Sequence, residues 1–227
     1  MRTLYNAIQG RSVERLAALS DGIFAVAMTL LVLDIHIPLA EGIHSEAQLL
    51  HALAGLAPQG IAYVMSFLTL GIFWAGQQTQ LNHFEEGSRD LTWIHLGFLF
   101  AITLMPLTTR LLAEFIEYRV ALGIYWLNIL LPGVMLFWSW SHALRHNLVK
   151  EDTGVDIRGA ICRRVVIAQS LYAFGALLCV ISNYVSIAFI VLVQLNYAIA
   201  PRFGKKLGEP AALRAGKKAK SSATLSP

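Results

Sequence analysis

The residues of this chain that are best suited to chemistry form a polar triplet, Ser20, Asp21 and Gly22, within an otherwise apolar segment. An aspartate at bilayer depth costs about 2.5–3.5 kcal/mol on insertion scales, so it usually faces a protein interior or a water-filled path. A carboxylate in that setting either accepts hydrogen bonds or carries protons. Elsewhere the sequence supplies possible hydrogen-bond donors to it: Trp74, Gln77, Gln78 and His95.

Two interpretations of Asp21 follow from these donors. A satisfied network between helices needs only Trp, Gln or His side chains within reach of the carboxylate, and this is the interpretation that the residue types favour. A proton relay through Asp21 and His95 is the alternative. His95 stands alone in an apolar helix, where histidine more often serves packing than ligand binding.

A second pattern in the same segment is a stripe of residues on one helical face. At 100° per residue, Ile23, Ala27, Leu30 and Asp34 fall within about 60°, with Val26 on the flank. The stripe is an apolar seam that ends in a carboxylate, whereas Asp21 points to the opposite side. Spacing alone also fits an ordinary packing or lipid-facing surface.

Motifs of enzymes and nucleotide-binding proteins are missing from the sequence. It contains no H-E-x-x-H, no G-x-S-x-G and no G-x-x-x-x-G-K-[ST], so we predict that the protein is not an enzyme and needs no metal or other cofactor. The TVGYG filter of familiar potassium channels is also absent. The remaining intramembrane polar residues are scattered without helical pairing: Asn128, His142, Asn183 and Asn196.

Composition defines the elements that must position these residues. The chain is 56% hydrophobic and 14% charged, against about 25% charged in soluble domains. Its long uncharged runs are 52–82, 91–109, 120–144 and 165–201, the last of which is too long for a single span. The sequence therefore predicts an all-α membrane protein with six transmembrane helices, near 13–36, 55–81, 91–112, 119–143, 163–182 and 184–201.

Basic residues give the orientation of these helices. If the N-terminus is inside, all but Arg110 and Arg119 of the 18 lysines and arginines lie on the cytoplasmic side. We therefore expect a multi-pass protein of the cell membrane with both termini in the cytoplasm. Residues 1–203 form the transmembrane domain and 204–227 a basic, disordered cytoplasmic tail. No folded basic domain accompanies that tail, so its partner is the lipid bilayer rather than nucleic acid.

The polar triplet also carries a family resemblance. Arg15, Ser20, Asp21 and Gly22 stand in the order R-x-x-x-L-S-D-G, which closely resembles the R-x-x-x-F-S-D-G signature of the transmembrane protein 175 family, the potassium-permeable channels of endolysosomes and prokaryotes. The match continues to Asp34, and the third helix, LTWIHLGFLFAITLMPLTT, is similar to the aromatic-rich helix of that family. The resemblance covers roughly residues 10–200.

Membership of that family would imply a homotetramer with four first helices around a central pore. The stripe then becomes the pore lining, with Ile23 at a hydrophobic constriction, Ala27 and Leu30 further outward and Val26 on the flank. Asp34 would attract cations at the outer mouth. The signature residues Arg15, Ser20, Asp21 and Gly22 would hold the pore helix through an interhelical network with Trp74 and His95.

The function that this resemblance implies is passive permeation of K⁺ and, less favourably, of other monovalent cations. The sequence departs from the family pattern at Leu19, where the signature has Phe, and at Gln77 and Gln78, where some members have histidine. Two other functions stay open from the residues alone: a proton-coupled secondary transporter that uses Asp21 and His95, and a membrane scaffold that transports nothing. Transporters usually carry internal repeats, and none is visible here.

Overall fold

Regular secondary structure in the described part of this protein is helical. The structure is a computed structural model that describes residues 13–35 and 43–199, so the predicted tail over 204–227 lies outside the described residues. The helices are α1 (Val13–Leu33), α2 (Glu46–Ala54), α3 (Ala57–His83), α4 (Arg89–Thr103), α5 (Met105–Glu114), α6 (Arg119–Arg145), α7 (Val155–Leu177) and α8 (Asn183–Ile199), with a 3₁₀ turn at Leu178–Val180. The prediction of an all-α protein is confirmed.

Five spans in the described residues are long and apolar enough to cross a membrane. They are α1, α3, α4 with α5, α6, and α7 with its 3₁₀ turn. Helix α8 is apolar but has only 17 residues, which gives it a length of about 25 Å. The sequence predicts a sixth span over 184–201, and the structure has this shorter apolar helix there.

Three boundaries differ from the sequence prediction. The third predicted helix, 91–112, is one span made of two helices, because α4 ends at Thr103 and α5 restarts at Met105 with Pro106, which has no N–H to donate, in its first turn. The loop expected between the first two spans contains α2, whose N-cap Ser45 accepts from the Gln48 backbone N–H. Helix α7 begins at Val155 rather than at 163, so it takes up part of the expected cytoplasmic loop.

Helix α1 packs on one side of the bundle, against α3, α4 and α5. Aromatic rings join these elements, since Phe98 of α4 lies 6.0 Å from the Phe24 ring of α1 and 6.3 Å from the Phe73 ring of α3. Helices α6, α7 and α8 complete the bundle on the side away from α1. The pore-helix candidate is therefore a peripheral element that is held by a few neighbours.

A buried polar network lies in the middle of the bundle. The Thr109 hydroxyl donates to Ser66 at 2.7 Å, Ser66 donates to the Tyr125 hydroxyl at 3.0 Å, and the Gln194 amide donates to Thr69 at 2.7 Å. These residues lie on α3, α5, α6 and α8, so the network ties four helices together. Each of these side chains has at least one partner in the network, although the Gln194 carbonyl oxygen has none among the described residues.

The ends of α3 and α6 are joined by a short backbone pairing. Phe84 and Val149 form an antiparallel bridge, in which the Glu85 N–H donates to the Leu148 carbonyl at 2.8 Å and the Lys150 N–H donates to the His83 carbonyl at 3.0 Å. The Phe84 ring also stacks on Trp140 at 5.8 Å. This pairing fixes the end of α3, the helix that holds α1.

Candidate functional site

Helix α1 buries only one of its faces. Its buried residues follow one another at intervals of three or four, as a helix packed on one side requires, and are Leu16, Ser20, Phe24, Ala27 and Leu31. The rest of α1 is open to the outside of the subunit. Large apolar side chains are exposed there, among them Val26 at 57% and Leu30 at 44%.

The predicted lining residues border a single surface groove on this open side. The groove has a volume of about 420 Å³ and includes Ile23, Val26, Ala27 and Leu30, with Thr103 of α4 on one edge. The structure thus brings the four predicted residues to one groove. Thr103 was not singled out from the sequence, where nothing but its place in the third apolar run could have indicated it.

Within this groove the four residues differ in their exposure. Ala27 is 2% exposed because it packs in the core of the subunit with Phe24 and Leu31, so it forms the floor of the groove. Ile23 is half-buried at the edge of the groove, whereas Val26, the predicted flank, is exposed. The exposed face of α1 is therefore centred closer to Val26 than the helical stripe predicts, because Ala27, on one edge of that stripe, is buried in the subunit core.

Ser20 attaches α1 to α3. Its side chain is buried, its hydroxyl donates to the Leu16 carbonyl at 2.9 Å, and the same oxygen accepts from the Gln77 amide at 2.7 Å. The Ser20 hydroxyl therefore makes one hydrogen bond within α1 and one hydrogen bond to α3 at the same time. The sequence analysis offered Gln77 as a donor to Asp21, and the structure places it on Ser20 instead.

Asp21 lies next to this contact but on the surface of the subunit. One carboxylate oxygen accepts from the Trp74 indole N–H and from the Gln78 amide, each at 2.8 Å. The carboxylate is exposed rather than buried, which corrects the expectation of a buried acid. Two donors from α3 hold it at the outer boundary of the α1–α3 contact, where a neighbouring molecule could reach it. Gly22 follows, with no heavy atom within 4 Å of the place a Cβ would take.

His95 lies apart from this contact. Its ring Nδ1 is 3.2 Å from the Leu91 carbonyl and 3.5 Å from the Ser139 hydroxyl, and its ring packs edge-on against Phe84. These contacts lie within α4 and to α6, so the hydrogen bonds of His95 do not reach Asp21. The structure does not bring His95 to the contact of Ser20 and Asp21, because α4 turns its histidine toward α6.

The two remaining predicted residues mark the ends of α1. Arg15 is exposed in its first turn, and Asp34 is half-buried just after its last residue, Leu33. Asp34 lies close enough to Arg110 to feel its charge, and Arg110 is itself paired with Glu114 at 2.9 Å. Charges of both signs therefore share this end of the subunit. Among the described residues no group of three or more His, Cys, Asp or Glu side chains could hold a metal ion.

Comparison with known proteins places this arrangement among ion channels. The family described as the endosomal/lysosomal potassium channel TMEM175 matches residues 15–106, which cover most of α1 and all of α2, α3 and α4. A potassium channel of Streptomyces collinus is 34% identical over 155 residues, which are 66% of this chain and 73% of that protein. The mouse endosomal/lysosomal proton channel TMEM175 is 26% identical over 207 residues, 83% of this chain but 40% of the mouse protein.

A solved structure agrees with the fold. The crystal structure of a lysosomal potassium-selective channel TMEM175 homolog from Chamaesiphon minutus matches with a TM-score of 0.71 and 26% identity. The alignment covers 84% of this chain and 98% of that one. The similarity thus extends over nearly the whole helical bundle and is not confined to the first helices.

Proposed function

This chain belongs to the TMEM175 family of channels, and from that membership we propose that it is a potassium-permeable cation channel. Potassium permeation is the activity named for the Streptomyces protein and for the Chamaesiphon structure. The vertebrate relatives are named as proton channels, so proton permeation is the second candidate. Membership of a channel family agrees with the prediction that the protein is not an enzyme.

The observation that carries the proposal is the open face of α1. A helix that buries five residues on one side and exposes Val26, Leu30 and Leu33 on the other needs a second apolar surface. Four copies of the chain around an axis would provide one, with each α1 contacting the next and its groove edge turned to the centre. Lipid could cover the same residues, and membership of a channel family supports the pore over lipid.

In this arrangement Ile23 would form the hydrophobic constriction. It is half-buried against the core, so its side chain is supported from behind, and it lies at the edge of the open face. A ring of such side chains gates by excluding water or admits ions that have lost part of their hydration shell. K⁺ is larger and more weakly hydrated than Na⁺, so it crosses such a ring at lower cost without a TVGYG filter. Val26 and Leu30 would line the pore beside it, above the floor formed by Ala27.

The proposed topology has six spans, with α8 as the last. A sixth crossing returns the basic residues after 201 to the side of the N-terminus, which agrees with the distribution of lysine and arginine. The length of α8, about 25 Å, is short for a span of about 30 Å. Local thinning of the bilayer accommodates a difference of that size at modest cost.

Flux through purified protein in liposomes tests the proposal. We expect K⁺ flux that is linear in driving force, that needs no pH gradient and that exceeds Na⁺ flux measured in parallel. Proton flux under a pH gradient in K⁺-free buffer tests the second candidate. Absence of both fluxes would contradict a channel and favour the scaffold, whereas K⁺ flux only under a proton gradient would favour the transporter.

The variant Asp21→Asn distinguishes the channel hypothesis from the transporter hypothesis. The amide retains an oxygen that can accept from Trp74 and Gln78, so we expect the α1–α3 contact to survive and K⁺ flux to remain within about twofold of the wild-type value. A proton-coupled transporter would lose its flux, since the amide carries no proton. Asp21→Leu removes the acceptor and the charge together, and we expect that variant to be unstable.

A further inference from the structure

A second cavity lies on the opposite side of α3 from the pore helix. Its volume is about 230 Å³, and α3, α6, α7 and α8 contribute its mostly apolar walls, with Phe73, Leu136 and Val165 among them. Helix α7 is the most open of the spans, since only Tyr172 and Gly175 on it are buried. In a membrane the mouth of the cavity beside α7 therefore opens to lipid.

A buried polar side chain without a full set of partners lines this cavity. Gln80 is 1% exposed, and its amide N–H donates to the Leu136 carbonyl at 3.1 Å. Its carbonyl oxygen has no partner among the described residues. An unpaired buried acceptor costs about 1–3 kcal/mol, so a donor is expected to reach this oxygen. Apolar chains alone cannot supply one.

A single cationic side chain, Arg164, stands among the residues that line the cavity. It is exposed, and it forms no ion pair with a described residue. In the proposed topology the N-terminal end of α7 lies in the cytoplasmic half of the membrane, where anionic lipids concentrate. Basic pockets between transmembrane helices on that side are typical sites for anionic headgroups.

We propose that this cavity binds an anionic phospholipid of the cytoplasmic leaflet whose headgroup carries a hydroxyl group. Its phosphate pairs with Arg164, one acyl chain fills the apolar walls, and the headgroup hydroxyl donates to the free oxygen of Gln80. The site depends on the proposed orientation of α7 but not on ion conduction. It lies behind the helix whose other side holds Ser20 and Asp21 through Gln77, Trp74 and Gln78.

Native mass spectrometry of the purified full-length protein tests this site. Three lipids are added in turn: phosphatidylglycerol, phosphatidylmethanol, which keeps the charge without a headgroup hydroxyl, and phosphatidylcholine, which has no net charge. We expect phosphatidylglycerol to be retained about tenfold better than phosphatidylcholine, with phosphatidylmethanol between them. Equal retention of all three lipids would overturn the proposal.

Variants then locate the binding. We expect Arg164→Ala to lose about tenfold in retention of phosphatidylglycerol. Arg163 is adjacent and also exposed but does not line the cavity, so Arg163→Ala should change nothing. Gln80→Leu should reduce phosphatidylglycerol to the level of phosphatidylmethanol. Equal losses in the Arg163 and Arg164 variants would mean a general basic surface and would contradict a built site.

Gln80 is buried, so Gln80→Leu could lose lipid because it misfolds, and a further variant separates these two effects. Ala160 is exposed at the cavity, so Ala160→Phe should narrow the cavity without disturbing the core. We expect this variant to unfold at the wild-type temperature in detergent and to lose retained phosphatidylglycerol. Unchanged lipid retention in a correctly folded Ala160→Phe variant would overturn the assignment of the lipid to this cavity.

Discussion

Ile23 combines two environments that a gating side chain requires. Its inner side packs against the buried core around Phe24, and its outer side borders the groove on α1. Val26 and Leu30 are exposed and lack the support of the core, whereas Ala27 is 2% exposed on the floor of the groove and does not project from it. A side chain that is supported from behind keeps its rotamer, so its ring can hold a fixed radius. This is the reason for placing the constriction at Ile23 rather than at the more exposed residues.

We therefore expect Ile23→Asn to raise ion flux and to reduce the preference for K⁺ over Na⁺. Four asparagine side chains around the pore would bind water at the level where four isoleucine side chains exclude it. A tenfold rise in flux corresponds to a barrier that is lower by about 1.4 kcal/mol. Parallel K⁺ and Na⁺ flux in liposomes measures both effects. Val32→Asn is the matched control, because Val32 is 49% exposed on the opposite side of the same helix. An unchanged flux ratio in Ile23→Asn would contradict the assignment.

At the scale of elements, the contact of α1 with α3 is polar at one level and apolar elsewhere. Gln77, Trp74 and Gln78 on α3 reach Ser20 and Asp21 on α1 over a single turn of each helix. Above that level, Phe24 and Leu31 pack into the core. Hydrogen bonds between transmembrane helices fix register more than they add stability, since each contributes about 0.6 kcal/mol on average. The polar turn thus sets the height and rotation of α1.

Ser20→Ala should weaken this contact measurably. The variant leaves the Gln77 amide buried without its acceptor, and Gln77 already has an unpaired carbonyl oxygen, so we expect a loss of about 1–2 kcal/mol in unfolding free energy. Thermal unfolding in detergent gives the measurement, with Ser170→Ala as the control because Ser170 is exposed on α7. Equal unfolding temperatures for the two variants would show that the buried hydroxyl has no structural role.

The sequence was sufficient to locate the apolar spans but not to predict the rotation of each helix about its axis. Long uncharged runs determine where helices lie, and the spacing of Ser20 and Asp21 indicates that a polar contact exists. Which donor meets which acceptor depends on the rotation of α3 about its axis, and no local pattern encodes that angle. The same limit explains His95, whose apolar surroundings do not reveal that α4 turns it toward α6. The break at Leu104 was detectable in principle, since Pro106 follows it by two residues.

At the scale of the whole molecule, the charges near the ends of α1 should shape the approach of ions. Asp34 would form a ring at the outer mouth of the proposed tetramer, and Arg110 lies near enough to oppose it. The net attraction of the outer mouth for cations is therefore the attraction by Asp34 less the repulsion by Arg110. Such a balance could not be predicted from the helical stripe, which contains Asp34 alone.

Asp34→Asn should lower K⁺ influx at low ionic strength and have little effect at high ionic strength. The Debye length falls from about 30 Å at 0.01 M to about 3 Å at 1 M, so attraction by a surface carboxylate is screened in concentrated salt. Flux at both concentrations gives the test, and Arg110→Gln should change flux in the opposite direction. A reduction by Asp34→Asn that is the same at both concentrations would mean that Asp34 acts in the pore itself.

A substitution on the open face of α1 tests whether the subunits assemble through this face. Gly22 lies on that face with free space around it in the single subunit, so Gly22→Leu should fold as a subunit but obstruct a neighbouring α1. The wild-type protein should have a mass near four times 25.0 kDa in detergent, and Gly22→Leu should shift it toward the single subunit. Gly159→Leu is the matched control, because Gly159 is also exposed and free of neighbours but lies on α7. Intact tetramers in Gly22→Leu would mean that lipid, rather than a second α1, covers this face, and the pore would then have to lie elsewhere.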